Sequence, residues 1–168
     1  MAPARTLSSK RRARRRGLLI SYAHQDAKWL EYFQTMLSPL VQEEGIDVWD
    51  DTRIAAGSAW RMEIQRAINT ARVALLLVSP SYLASKFIAE EELPPLLRAA
   101  RKEGMIILWV LVSPCMYKKT AIAEFQPAHS VDRALELVAA ARRNQKILEI
   151  ADVIDAVLHE QRPTRRRA

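Results

Sequence analysis

Glu90, Glu91 and Glu92 stand directly before Leu93-Pro94-Pro95 and form the chain's main candidate for chemistry. Proline at 94 cannot donate a hydrogen bond to the carbonyl of Glu90 and pushes Leu93 toward an extended conformation, so the spacing predicts a break or kink beside the carboxylates. Successive helical residues point about 100° apart, so no more than one of the three can face a given edge while the others face solvent. A carboxylate turned inward by the kink is a candidate for acid–base or electrostatic work. The same spacing also describes acidic residues favoured by the dipole and free N–H groups of a proline-started helix, and spacing alone favours that reading.

Other chemistries find little support. There is no Gly-x-Gly-x-x-Gly and no Gly-Lys-Ser/Thr, so nucleotide binding through a phosphate loop is excluded. His24, His129 and His159 lie far apart without helix or finger spacing, which points to ordinary surface or loop histidines and no metal site. Cys115 has no identifiable base beside it and reads as a packed thiol.

The elements that must position these residues follow from hydrophobic periodicity. Gly17 to Tyr22, Ile46 to Trp49, Val73 to Val78 and Met105 to Val112 are short apolar runs expected as strands. Between them, Trp29, Leu30, Phe33, Met36, Leu37, Leu40 and Val41 recur at helical spacing after Asp26, the expected cap, with Pro39 expected to end or bend the helix. A helix through Trp60 to Ile68 follows an expected cap at Ser58, and Ser81 to Gly104 is helical in pattern but interrupted by Pro94-Pro95. After Ser113-Pro114 a long irregular connection is expected, with short helices around Ile122 and Leu135, before a last helix from about Asn144 to Leu158. Strands that are apolar throughout and alternate with helices predict an α/β fold: a flavodoxin-like doubly wound parallel sheet of four to five strands with helices on both faces. Ligands of such sheets sit beyond the carboxyl ends of the strands. That edge carries Tyr22 to Asp26, Asp50 to Ser58, Ser79 to Tyr82 and Ser113 to Tyr117.

Composition bounds the setting. One cysteine excludes an internal disulfide, which agrees with an intracellular, cytoplasmic location. The apolar run Met105 to Val112 is far short of the roughly 20 residues of a transmembrane helix, and the basic start lacks the apolar stretch of a secretory signal. The net charge of +7 is concentrated at the ends: residues 1–16 carry seven basic residues and 162–168 four, leaving 15 basic against 19 acidic residues between them. Residues 1–16 and 161–168 are therefore expected to be disordered basic arms, and sequence-specific nucleic-acid recognition is not expected. Any contact of the arms with nucleic acid or anionic lipid would be charge-driven and salt-sensitive.

Taken in order, ISYAHQD, VWDDTRIAAGSAW, LLLVSPSYLAS and FIAEEELPPLL resemble the motifs of a TIR (Toll/interleukin-1 receptor) domain of bacterial type, over residues 17–160. ISYAHQD resembles the first box of the family, and WDDTRIAAGSAW its BB loop. The resemblance implies either an assembling adaptor or an enzyme that cleaves NAD+ between nicotinamide and ribose. In the latter, NAD+ is the substrate and no other cofactor is needed, and a bacterial defence or toxic effector role is implied. Enzyme members use a glutamate after the third strand, within Ser-x-Trp-Cys-x-x-Glu. Here Ser85-Lys86-Phe87-Ile88 lacks the Trp and Cys and precedes three glutamates. Matching the Glu-Leu before the apolar continuation selects Glu92 as catalytic, while counting from Phe87 selects Glu91. The resemblance further carries Tyr22, Ala23, Asp50, Arg53, Trp60, Ser79 and Tyr82 over as substrate-binding residues. It implies homo-oligomers formed with other TIR domains through the BB loop. Each lining residue also has a structural reading: Tyr22 and Trp60 can pack on the sheet edge, and Asp50 can cap or pair with Arg53.

Overall fold

The computed structural model describes residues 15–53 and 59–160. The expected cap Ser58, most of the BB loop and the greater part of both basic arms lie outside the described residues. Five strands, β1 (Leu18–Ser21), β2 (Val48–Trp49), β3 (Val73–Val78), β4 (Ile106–Leu111) and β5 (Gln126–Pro127), form one parallel sheet in the order β2-β1-β3-β4-β5. Five α-helices cover it: α1 (Ala27–Glu44), α2 (Trp60–Thr70), α3 (Pro80–Ala84), α4 (Leu93–Lys102) and α5 (Ala140–His159).

Side chains alternate across a strand, so each buried strand feeds two cores. Leu18, Ile20, Leu75, Leu77, Leu108 and Val110 point to Phe33 and Leu37 of α1 and Ile150 and Ile154 of α5. Their neighbours Leu19, Ala74, Leu76, Ile107 and Trp109 point to Ile64 and Ile68 of α2 and Leu96 of α4. This double burial is why the strands read as unbroken apolar runs. The doubly wound parallel sheet with helices on both faces is thus the observed fold.

Several local expectations need correction. Pro39 does not end α1, which runs to Glu44 and stops at Gly45, a left-handed residue with φ +65° whose N–H bonds the carbonyl of Val41. Asp26 heads α1 without capping it, because its carboxylate accepts the Ser79 hydroxyl instead. Helix α5 begins at Ala140 rather than Asn144, since its first turn is built from Ala and Arg residues that favour helix but carry no apolar period. The fifth strand lies inside the connection read as irregular; two residues are too few to show a strand pattern, and it is held instead by β4 and by the Trp109 indole N–H donating to the Phe125 carbonyl at 2.8 Å.

The basic N-terminal run also contributes to the fold. Arg15, assigned by its charge to the arm, is buried, and its guanidinium donates to the carbonyls of Ile68 (2.6 Å), Ala71 (3.0 Å) and Glu103 (3.1 Å) and to the Glu103 carboxylate (2.7 Å). These groups cluster at the C-terminal ends of α2 and α4, where carbonyls lack helical partners and a cation complements the dipoles. Among the described residues, no helix is long and apolar enough to cross a membrane.

Candidate functional site at the carboxyl edge of the sheet

After α3 the chain does not resume an α-helix directly. Ile88–Glu92 form a π-helical turn that closes with the Leu93 N–H on the Ile88 carbonyl and runs into α4. Pro94 and Pro95 lack N–H groups and fit the first turn of α4, so the strain they would cause deeper in a helix is absorbed in the wider turn before it. That turn sorts the three glutamates. Glu90 faces solvent, Glu91 pairs with Arg61 of α2 at 3.3 Å, and Glu92 is turned inward to 5% exposure.

Glu92 lies near Ser21 at the end of β1 and Tyr82 of α3. The Ser21 hydroxyl, at the last position of β1, lies 2.9 Å from the Tyr82 hydroxyl of α3. Burial pushes the Glu92 carboxyl up to about 7; the Ser21 hydrogen bond opposes this, the Asp51 charge adds to it, and His24 again opposes it. Asp51 lies 2.8 Å from Nε2 of His24 and close enough to the Tyr22 hydroxyl to act on it. Tyr22 is held above its ordinary value by burial and then by Asp51, and Tyr82 by burial and then by Glu92. Both phenols therefore stay neutral donors. The result is a covered carboxyl that changes charge near neutral pH, bounded by hydroxyl groups, an arrangement suited to stabilising a nascent cation or moving a proton.

The other expected site residues divide into two groups. Tyr22, Ala23 and Tyr82 are buried at the same edge as Glu92, and Tyr22 and Tyr82 both sense its charge. Trp60 is half-buried at the start of α2, its ring 5.2 Å from Phe87 and under the Arg61 guanidinium. Ser79 is occupied structurally, accepting the Tyr82 N–H at 3.0 Å as the cap of α3 and donating to Asp26. Asp50 is likewise consumed: it accepts the Gln34 amide at 2.8 Å, the Thr52 N–H at 3.0 Å and the Thr52 hydroxyl, which shapes the start of the loop. Arg53 does not pair with Asp50. It folds back to Asp47 at 2.6 Å and to the Val48 carbonyl.

Sequence reasoning passed over Ser21, Asp51 and Phe87. The polar end of a strand otherwise wholly buried was the available signal for Ser21; for Asp51 and Phe87 the signal lies in contacts between segments distant in sequence. Cys115 lines a cavity of about 550 Å³ with Met116, Tyr117 and Leu137, apart from Glu92, and burial pushes its thiol up, which disfavours a nucleophilic thiolate. His129 serves as an acceptor, its Nε2 taking the Leu111 N–H at 2.9 Å.

A parallel sheet in the order β2-β1-β3-β4-β5, helices on both faces and a polar group gathered at the carboxyl edge together define a flavodoxin-like α/β domain. Within that class, the family model for the TIR domain matches residues 18–147, and the chain belongs to the TIR-domain family. An uncharacterized protein of Sinorhizobium fredii, y4lF, is 29% identical over 98 residues, a match spanning 58% of this chain and 30% of that protein. The TIR domains of the activated Roq1 resistosome recognizing the pathogen effector XopQ superimpose with a TM-score of 0.50 at 20% identity, over 82% of this chain and 84% of theirs, a likeness of fold. The TIR domain of the Toll-related receptor TRR-2 of Hydra magnipapillata aligns with a TM-score of 0.48 at 17% identity, over 79% and 98% of the two chains.

Proposed function

We propose that this TIR domain is an NAD+ glycohydrolase, cleaving the bond between nicotinamide and ribose with Glu92 as the catalytic carboxylate and acting as an effector in bacterial defence. The observation that carries the proposal is that Glu92, alone of the three glutamates, is turned into the sheet edge with its charge state poised near neutrality. Loss of nicotinamide passes through an oxocarbenium-like transition state, and nicotinamide leaves as a neutral molecule without an acid. One carboxylate against the ribose supplies the electrostatic stabilisation. Attack by water gives ADP-ribose, and attack by the adenine a cyclic product. Tyr22 and Tyr82 lie close enough to feel the Glu92 charge, and the Trp60–Phe87 pair joins the start of α2 to the segment that carries the glutamates.

Because Glu92 is covered in the single domain, the reaction requires the edge to open. Assembly through the BB loop, with TIR domains as partners of one another, supplies that step in this reading. The Roq1 TIR domains, which share the fold, belong to an assembly described as activated. A second reading, a non-catalytic interaction module acting as a signalling adaptor or host-pathway mimic, is favoured by that same covering of Glu92 and by Met62, which stands 65% exposed on α2. The two separate in one assay: purified protein at high concentration with a crowding agent is given NAD+, and nicotinamide is followed by chromatography. Release that Glu92→Ala abolishes and Glu91→Ala preserves supports the enzyme. Absence of release from the assembled protein supports the interaction module, and release that survives Glu92→Ala removes the catalytic assignment.

A further inference from the structure

We propose that Glu44, Asp155 and His159 form a binding site for one divalent transition-metal ion of the zinc class, which ties the end of α1 to the end of α5. The proposal is independent of the glycohydrolase reading, because the site lies at the opposite edge of the sheet from Glu92. Arg72, the residue before β3, donates to the Val157 carbonyl at 3.1 Å and so holds the end of α5 at the edge where the strands begin.

The three side chains converge from two helices. Asp155 and His159 stand four residues apart on α5, the spacing that stacks two ligands on one helix face, and Glu44 is the last residue of α1. His159 has a carboxylate against each ring nitrogen: Nε2 lies 2.6 Å from Glu44, and Nδ1 lies 2.9 Å from Asp155 Oδ1. One donor atom from each residue lies within 4.8 Å of those of the other two. Ligands around a tetrahedral ion at about 2.1 Å stand roughly 3.4 Å apart, so small rotations of these half-exposed side chains complete the set. An imidazole with two carboxylates suits zinc, cobalt or nickel better than magnesium, which prefers oxygen ligands alone.

The arrangement calls for a cation. Nδ1 lies 2.8 Å from the Asp155 carbonyl, which can only accept, so Nδ1 carries a proton. Nε2 is then the ring nitrogen open to a metal, and a metal-bound histidine commonly gives its other N–H to such a carbonyl. Without a proton or a metal ion on Nε2, its lone pair would face the Glu44 carboxylate. Asp155 Oδ1 is buried and accepts no hydrogen bond among the described residues, since the Nδ1 proton goes to the carbonyl. A buried carboxylate oxygen left in this state is costly, and a metal ion supplies its partner. Both helices also end here, where free carbonyls add negative potential. In metal-free protein the imidazolium holds the cluster together; the ion displaces the Nε2 proton to solvent and adds the bond to Asp155. Histidine spacing carries no sign of this site, because two of its three ligands are carboxylates and one stands on the chain's first helix.

The test is isothermal titration of zinc chloride into the full chain, freed of metal by chelator and dialysis, with thermal unfolding followed with and without zinc. The wild type should bind one ion in the micromolar range. His159→Ala and Glu44→Gln should each weaken binding by about tenfold or more, since even outer-shell partners of a metal are worth that much. His24→Ala removes the other exposed histidine paired with a carboxylate and should leave binding unchanged. Zinc at about 100 times the dissociation constant should raise the folded-to-unfolded ratio of the wild type about 100-fold, read as a higher unfolding midpoint, and should move Glu44→Gln far less. No binding by the folded wild type overturns the proposal and leaves an ion-paired cluster only. Binding as tight in His159→Ala as in the wild type also overturns it, and binding unchanged in Glu44→Gln overturns the tie between the helices. Should one variant not fold, the other decides. Because no step uses NAD+, a protein inactive on NAD+ would sink the glycohydrolase reading and leave this test intact.

Discussion

Replacing Glu92 by Gln should change the pH dependence of folding in a way that the structure specifies. The carboxyl titrates at about 4.5 when free and at about 7 in the fold, mainly because burial penalises its charge. Below pH 4.5 both folded and unfolded chains hold the proton, and the buried acid carries no charge penalty. As pH rises, the unfolded chain releases its proton first, so stability falls until the folded carboxyl has also ionised near pH 7. At about 1.4 kcal/mol per unit the full penalty is about 3 kcal/mol, complete by pH 8. Glutamine keeps the shape without titrating, and whatever its amide costs is the same at each pH. His129 and His159 titrate in both proteins, so their contributions largely cancel in the difference. The assay is urea unfolding of both proteins by circular dichroism at pH 5, 6, 7 and 8, taking wild type minus variant. That difference should fall by about 2.5 kcal/mol between pH 5 and 8, because the unfolded carboxyl is already largely ionised at pH 5. A flat difference would refute the argument, because Glu92 would then be ionised throughout and not desolvated as its burial implies.

Further expectations concern the frame around the site. Arg15→Ala removes a buried guanidinium that serves two helix ends, and should cost about 2–4 kcal/mol in denaturant unfolding although residue 15 belongs to a run of surface-type charges; a cost under about 0.5 kcal/mol would show that the capping is dispensable. Phe33→Ala opens a cavity in the fully buried core under α1 and should cost about 3–5 kcal/mol, whereas Met62→Ala on the exposed face of α2 should stay within about 0.5 kcal/mol. His159 lies between the Glu44 carboxylate (2.6 Å) and the Asp155 carboxylate (2.9 Å), linking the ends of α1 and α5. Its pKa is raised, first by the Asp155 carbonyl and then by the two acids, so its stabilisation is complete below pH 6.5 and is lost as pH rises through the folded value. Solvent screening limits it to under about 1 kcal/mol; a His159→Ala deficit that is the same at pH 5.5 and pH 9 would contradict this.

Some of these features could be read directly from the chain. β1, β3 and β4 were legible because strands covered on both faces need an unbroken apolar run, and LLIS, VALLLV and IILWVL have no other stable place. The helix pattern from Trp29 to Leu40 was legible because one covered stripe repeats at helical spacing, while Val41, which continues the spacing, is exposed. β5 was not, since two residues including a proline carry no period and depend on the neighbouring strand for their bonds. Arg15 and Arg16 read as a solvated arm because charge is the only property that composition records, while a guanidinium is buried by the carbonyls it meets.

For the candidate site the division is similar. Glu90, Glu91 and Glu92 before two prolines drew notice in the sequence because the prolines interrupt a helical pattern beside them, although that spacing equally describes acidic residues ahead of a proline-started helix. Choosing among the three required the tertiary structure, because the pitch of the turn decides direction and a π-helical turn rotates differently from an α-helical one. The charge state of Glu92 was equally invisible in sequence. It depends on burial and on Ser21, Asp51 and His24, residues 41 to 71 positions away that only the closing of the sheet brings near one carboxyl.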